Sequence, residues 1–267
     1  MVATPAWPPS SLPRLFIDRE LSEGLEVTLD GAQANYLGAV LRLGAGAEIK
    51  AFDDRTGEWL ARIDEAGKRK VALRIERKLR EREAMPDIWL VFAPIKRGRI
   101  DWLVEKATEL GAASLMPVIT RRTIVDRLNL ERLRAHAVEA AEQCERTALP
   151  ELTEPQKLDS VLRDWPAGRT LYFADEAGGT PLADAVEAGP AGILIGPEGG
   201  FTDEERAAIA AVKAARPVSL GPRILRADTA AIAALAIWMS VAGDWDSSPR
   251  FRGEGDRVKR GRGALKP

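Results

Sequence analysis

The sequence predicts an α/β protein in which a small β-rich module precedes a mainly parallel sheet covered by helices on both faces. Three observations carry the prediction. After Pro86, short continuous apolar runs alternate with helical repeats, the pattern of strands buried on both faces. Before it, short runs with partial alternation are separated by Gly or charged turns. Between the two regimes lies a boundary: positions 74–83 carry eight charges in ten residues, and Pro86 follows.

Taken in order, strands are expected at 14–17, 25–29, 48–52, 59–63 and 70–75. A helix interrupts them at 32–41, where Ala34, Leu37, Val40 and Leu41 recur at helical spacing. The second regime opens with a strand at 88–92. A helix at 100–110 follows, with Leu103, Ala107 and Leu110 on one face and Gly111 positioned to end it. A strand at 115–119 leads to a long helix at 129–147, with Leu130, Leu133, Ala137, Ala140, Ala141 and Cys144 inward. Further strands fall at 171–173, 192–195 and 218–220. The helix at 202–212 opens with Thr202-Asp-Glu-Glu205, a capping box. A last helix covers 228–241. The resulting division is a flexible start at 1–12, a β module at 13–83, an α/β domain at 84–246 and a disordered basic tail at 247–267.

Composition excludes several classes. The chain has 267 residues, 45% hydrophobic and 30% charged, enough apolar material for a real core. A single cysteine, Cys144, rules out an internal disulfide and a Cys-based zinc site, so a reducing compartment fits. A single histidine, His136, removes the usual catalytic triad and the His-rich metal centres; no metal site is expected. No export signal or membrane span is visible, and a cytoplasmic location is expected. A net charge of −1 is not the mark of a nucleic-acid protein, but the total hides a partition. Residues 1–83 balance at 14 basic and 14 acidic, residues 84–246 carry −6, and the tail carries +5. That tail reads equally as a solubilising end or as an electrostatic arm for phosphates.

Two segments carry the chemistry. Ile195-Gly-Pro-Glu-Gly-Gly-Phe201 lies between a buried strand and the capped helix at Thr202. Its glycines permit close approach of a ligand, and open α/β sheets place ligands at such strand ends. It is neither a GxGxxG fingerprint nor a P-loop. Ser219-Leu-Gly-Pro-Arg-Ile-Leu-Arg226 follows a short strand and precedes the last helix, with Arg223 and Arg226 at the mouth.

These segments, with Arg14-Leu-Phe, Val40-Leu-Arg-Leu43, the run from Asp101 to Gly111 and Glu139-Ala-Ala-Glu-Gln-Cys144, resemble the SPOUT-class ribosomal RNA small-subunit methyltransferase E family. The similarity extends from Arg14 to about Ala242. It implies an N-terminal PUA-like RNA-binding β-barrel domain, a trefoil-knotted C-terminal domain, S-adenosylmethionine as methyl donor, a homodimer, and methylation of N3 of a uridine in 16S rRNA of the small ribosomal subunit. It further implies cofactor loops at Ile195, Gly196, Pro197, Glu198, Gly199 and Gly200, and at Leu220, Gly221, Arg223, Ile224 and Leu225, with Thr229 nearby. The sequence departs from the family at Glu145, where a glycine is usual, and at Ala227-Asp228, where Thr-Glu is common.

For the reaction, Arg226 is the candidate donor to the uracil carbonyls, and Glu198 or Asp228 the candidate proton acceptor; the alternative for Glu198, slightly favoured, is that it braces its own turn through backbone N–H groups. Candidate RNA contacts are Arg14, Arg42, Lys96, Arg97, Arg99, Arg121, Arg122 and Arg146. A non-catalytic RNA-binding or ribosome-assembly protein on the same fold is the rival reading, as is a sibling enzyme acting on another RNA.

Overall fold

The computed structural model describes residues 12–67, 69–125, 127–175 and 178–245. The basic tail at 247–267 and all but Leu12 of the expected flexible start lie outside these residues.

The first sheet is built from β1 (Arg14–Phe16), β2 (Glu26–Asp30), β3 (Glu48–Phe52), β4 (Glu58–Ala66) and β5 (Lys70–Arg80), in the order β1-β3-β4-β5-β2. Only β1 and β3 run parallel. Pairing of β4 with β5 is interrupted by three register shifts, the irregularities that bend a sheet toward a barrel. With β1 and β2 as edges, the outcome is an open half-barrel. The highly charged run after Arg74 is the far end of β5, partnered by β4, so the strand is longer than its apolar portion suggests. The expected helix at 32–41 divides into α1 (Gly31–Asn35) and a π-helical turn, Tyr36–Val40, that leaves Arg42 at φ 55°.

The second sheet has eight strands. Its main path runs β11 (Thr180–Pro181), β13 (Ala215–Ser219), β10 (Thr170–Ala174), β12 (Ala191–Ile195), β6 (Ile88–Phe92), β7 (Ser114–Ile119) and β8 (Glu151–Leu152), and β9 (Gln156–Lys157) also pairs with β7. Every pairing is parallel. Successive side chains alternate between two cores, as the pleat requires. Ile88, Leu90, Phe92, Ile193 and Ile195 face α2 (Arg99–Glu109), α3 (Leu130–Cys144) and α7 (Ala227–Val241). Val91, Leu194, Leu171 and Phe173 face α4 (Leu158–Arg163) and α6 (Asp203–Ala211). A short α5 (Leu182–Ala185) completes the helices. The capping box at Thr202 and Glu205 forms as expected, and Gly111 follows α2 at φ 97°.

The two sheets meet at the carboxyl end of α3. A helix leaves its last carbonyls without partners, and here the first sheet supplies them. Arg14 donates from Nη1 to the carbonyls of Ala141 (2.6 Å) and Glu142 (3.0 Å), and from Nη2 to that of Arg146 (2.8 Å). Its Nε is held by Glu58 at 2.6 Å, and Glu58 also binds Arg80. The Phe16 N–H donates to the Glu142 carboxylate at 2.8 Å. Phe16, Phe52, Ala141 and Leu149 form a small apolar cluster beside this seam.

Candidate functional site

Strand order locates the crevice. From β6 the chain moves outward through β7 to β8, then returns to the other side of β6 for β10, β12 and β13. The neighbours β6 and β12 therefore flank the point where the direction of winding reverses, which is where open parallel sheets bind ligands outside their carboxyl ends. The two strand ends are tied together, with the Ala93 N–H donating to the Ile195 carbonyl at 3.0 Å. Immediately beyond them is a cleft of about 20 Å³, lined by Pro94, Ile95 and Lys96 after β6, Arg122, Ile124 and Val125 after β7, and Pro197, Glu198 and Gly199 after β12.

The loop after β12 owes its shape to two glycines. Gly200 sits at φ 68° and donates its N–H to the Pro197 carbonyl at 2.8 Å, closing a tight turn. At Gly196 the Phe201 ring packs so near that a Cβ would lie 3.0 Å from it. Ile195 and Pro197 are buried, while Glu198 and Gly199 at the tip are exposed. Glu205 accepts the Thr202 N–H at 2.9 Å, and the Thr202 hydroxyl accepts the Glu205 N–H at 3.2 Å.

The second segment spans a longer path. It leaves β13, two strands from β12, and delivers α7 to a position against α2, β6 and β12. Residues 220–226 therefore cross the carboxyl ends of the intervening strands. Gly221, at φ 109°, turns the chain, and its N–H donates to the Ser219 hydroxyl at 3.2 Å. Leu220 and Leu225 rest on the core, whereas Arg223, Arg226 and Thr229 are exposed and Ile224 is 91% exposed. Arg226 is the N-cap residue of α7. Asp228, in the first turn, lies 3.6 Å from Arg99 at the start of α2, and its Oδ1 accepts the Thr229 N–H. The candidate proton acceptor Asp228 is thus engaged by a guanidinium, which leaves Glu198 as the open carboxylate at the cleft.

The structure separates the expected RNA contacts into two groups. Arg42, Lys96, Arg97, Arg121 and Arg122 are exposed, the last four on loops at the carboxyl edge of the second sheet. Arg14 and Arg146 are not RNA-facing: each is only 7% exposed and bound to main chain. Arg14 caps α3. Arg146 reaches the Thr108 carbonyl, the Ala112 carbonyl at 3.3 Å and Glu83 at 3.3 Å, tying α2 and the inter-sheet segment to the same seam. Arg122, though exposed, donates to the Gly199 carbonyl at 2.6 Å and the Phe201 carbonyl at 3.4 Å, bracing the loop after β12.

Burial pushes the Cys144 thiol up from its ordinary value, despite the Arg146 N–H and the nearby charges of Arg146 and Arg14 that act the other way; it is a poor nucleophile there. His136 sits between α2 and α3, with Nδ1 2.8 Å from Glu105. Among the described residues, no group of His, Cys, Asp or Glu is arranged to hold a metal, and no helix is long and apolar enough to cross a membrane. A larger cavity of about 600 Å³ lies at the seam, away from the crevice, lined in part by Asp54, Arg82, Met85, Arg134 and Leu149. Sequence reasoning missed Arg99 as a partner of Asp228 and Glu205 as a partner of Arg121, because both ties link segments remote in the chain.

A family model for an RNA methyltransferase domain matches residues 82–239, and one for an RNA methyltransferase PUA domain matches residues 29–76. The ribosomal RNA small subunit methyltransferase E of Rickettsia conorii is 31% identical over 229 residues, covering 84% of this chain and 93% of the relative. That of Synechocystis is 34% identical over 231 residues, covering 84% and 76%. Two solved structures share the fold at a TM-score of 0.80: a putative methyltransferase from Legionella pneumophila in complex with bound S-adenosylmethionine (30% identity, covering 86% of this chain and 98% of that one), and a ribosomal RNA small subunit methyltransferase E from Neisseria gonorrhoeae bound to S-adenosyl methionine (28% identity, covering 88% and 99%).

Proposed function

Because the chain belongs to the ribosomal RNA small subunit methyltransferase E family, we propose that it transfers the methyl group of S-adenosylmethionine to N3 of a uridine in 16S rRNA. The observation that supports this reading is the placement of two glycine-bearing loops, after β12 and after β13, at the carboxyl end of a parallel sheet around its reversal point. Relatives of the same fold hold S-adenosylmethionine.

The residues present fit that group. The Gly196–Gly200 turn carries no side chain of its own at three of its five positions, with Arg122 braced on Gly199, and a Cβ on Gly221 would meet open space. Leu220, Ile224 and Leu225 supply apolar surface for a planar base, with Arg223 and Thr229 at the rim. The cofactor, when bound, supplies a sulfonium-activated methyl group whose departure leaves a neutral thioether. The chain's own task is then to align uridine N3 and remove its proton. Arg226 donates hydrogen bonds to the uracil carbonyls and stabilises charge developing on the ring. Glu198, exposed at the cleft, accepts the N3 proton. Arg42, Lys96, Arg97 and Arg121 position the RNA backbone, which needs no positive net charge over the whole chain.

The same reading divides the chain into a PUA-like domain at 13–83 and a knotted catalytic domain at 84–246. It makes the enzyme a cytoplasmic homodimer acting on 16S rRNA or the small subunit. Two measurements test it. Calorimetry on the full chain should show S-adenosylmethionine binding, and its absence would favour a non-catalytic RNA-binding role. Mass spectrometry of 16S rRNA nucleosides should show 3-methyluridine lost on deletion of the gene and restored on complementation. If it persists without a second such enzyme, the assigned position is wrong.

A further inference from the structure

We propose that Glu205 is a positioning residue that holds the two loops flanking the candidate crevice at a fixed separation. The inference rests on the reading above, in which the loop after β12 holds the methyl donor. A capping box asks one thing of its glutamate, to accept the N–H of the N-cap residue. Glu205 does this with Oε2, at 2.9 Å from the Thr202 nitrogen. Its other oxygen, Oε1, accepts the N–H of Arg121 at 2.7 Å, on the loop after β7, 84 residues away in sequence. The side chain is nearly enclosed, at 4% exposure. One carboxylate thus joins the main chain of two loops that leave strands not adjacent in the sheet, β7 and β12.

The loop it reaches is itself rigid. The Thr120 N–H donates to the Thr123 hydroxyl at 2.9 Å, and the Thr123 N–H donates to the Thr120 carbonyl at 3.2 Å, so residues 120–123 move as one turn. The next residue returns the tie: Arg122 donates to the Gly199 carbonyl on the loop after β12. Carboxylate to main chain in one direction and guanidinium to main chain in the other make a two-point latch. Between the two points lie Arg122, Ile124 and Val125 on one wall and Pro197, Glu198 and Gly199 on the other. Slackening Glu205 shifts the turn against which Gly199 is braced, and with it the groups that face the cofactor. Glu205 touches no reacting atom in this account; it acts through Gly199.

Glu205→Gln separates this role from capping. Glutamine serves in a capping box, but it offers one acceptor oxygen where the carboxylate offers two. In the full chain, Glu205→Gln should weaken S-adenosylmethionine binding by about tenfold, the scale of one lost charge-assisted hydrogen bond. Hydrogen exchange at the Arg121 amide should accelerate by a similar factor. Thr202→Ala, which removes the hydroxyl half of the cap and leaves both bonds to Glu205, should lower the melting temperature yet change cofactor affinity by no more than about twofold. Wild-type affinity in Glu205→Gln, or equal weakening in Thr202→Ala, reduces Glu205 to a helix cap and overturns the proposal. A wild-type chain that fails to bind S-adenosylmethionine fails the functional reading instead, and the two results are told apart before any variant is made.

Discussion

Glu145, the residue that ends α3 at the seam, has a left-handed backbone, with φ 63° and ψ 24°. That conformation favours glycine, and a side chain there costs about 1 kcal/mol or more. The carboxylate lies 3.8 Å from Lys50, whose side chain is nearly enclosed, so the ion pair and the backbone pull against each other. The resemblance to the family had singled out this position because glycine is usual there, and the helix end gives the physical reason. Glu145→Gly should leave stability unchanged or raise it by up to about 1 kcal/mol, the gain being reduced by the added freedom of glycine in the unfolded chain. Urea unfolding checks this, and a clear loss of stability would mean that the Lys50 pair matters more than the backbone. Not every residue was so legible. Arg14 and Arg146 carry the same charge as Lys96 and Arg97, and nothing local in the sequence says that the first two are enclosed and the others open. Charge is written in the chain; burial is decided by what folds over it.

At the scale of elements, the longer strands of the second sheet were readable because burial on both faces imposes continuous apolar runs, as in Ile88–Phe92 and Ala191–Ile195, and so were its four longer helices, but not the short α4 and α5. The two-residue strands β8, β9 and β11 were not, since they borrow their form from a neighbour rather than from a pattern of their own. The π-helical turn after α1 escaped for a related reason: its apolar spacing fits an ordinary helix. The turn from β3 to β4 has a chemistry of its own. Burial acts to raise the Asp53 carboxyl, but the Thr56 hydroxyl and the N–H groups of Arg55, Leu21 and Thr56 outweigh it and hold the group below its ordinary value. A carboxylate depressed in the folded state stabilises fully above its unfolded pKa and ceases to do so as pH falls through the folded one. The stability gap between wild type and Asp53→Asn should therefore be widest near neutrality and shrink as pH falls below about 4. Chemical denaturation across that range tests it; a gap independent of pH would mean that the asparagine loses packing, not charge.

For the molecule as a whole, the notable contact is the one between its two sheets. Fold class and order of modules followed from the change of periodicity at Pro86, yet their docking did not, because no sequence pattern announces that a guanidinium from β1 will end a helix well over a hundred residues later. Arg14 and Glu58 form a nearly enclosed ion pair at that contact, and the exposed Arg80 covers its outer side. Removing Arg14 leaves the buried Glu58 with only the exposed Arg80 and frees three carbonyls, at a cost of about 3 kcal/mol. Arg14→Ala should therefore lower stability by that amount and split the thermal transition, with the first sheet unfolding before the second. A single transition at the wild-type temperature would show that the apolar cluster around Phe16 and Leu149 suffices.

What Arg14 grips on the far side is three carbonyls, and carbonyls belong to every amino acid. That part of the joint survives drift in side-chain identity along the last turn of α3, except at Glu142, whose carboxylate takes the Phe16 N–H, and at Ala141, which packs in the apolar cluster. Such a joint leaves little correlated substitution behind it, and methods that read proximity from paired changes would pass over it. It is also a joint that transplants: an N-terminal module from a relative bearing arginine at the position of Arg14 should seat on this α3 with no matching change in the helix.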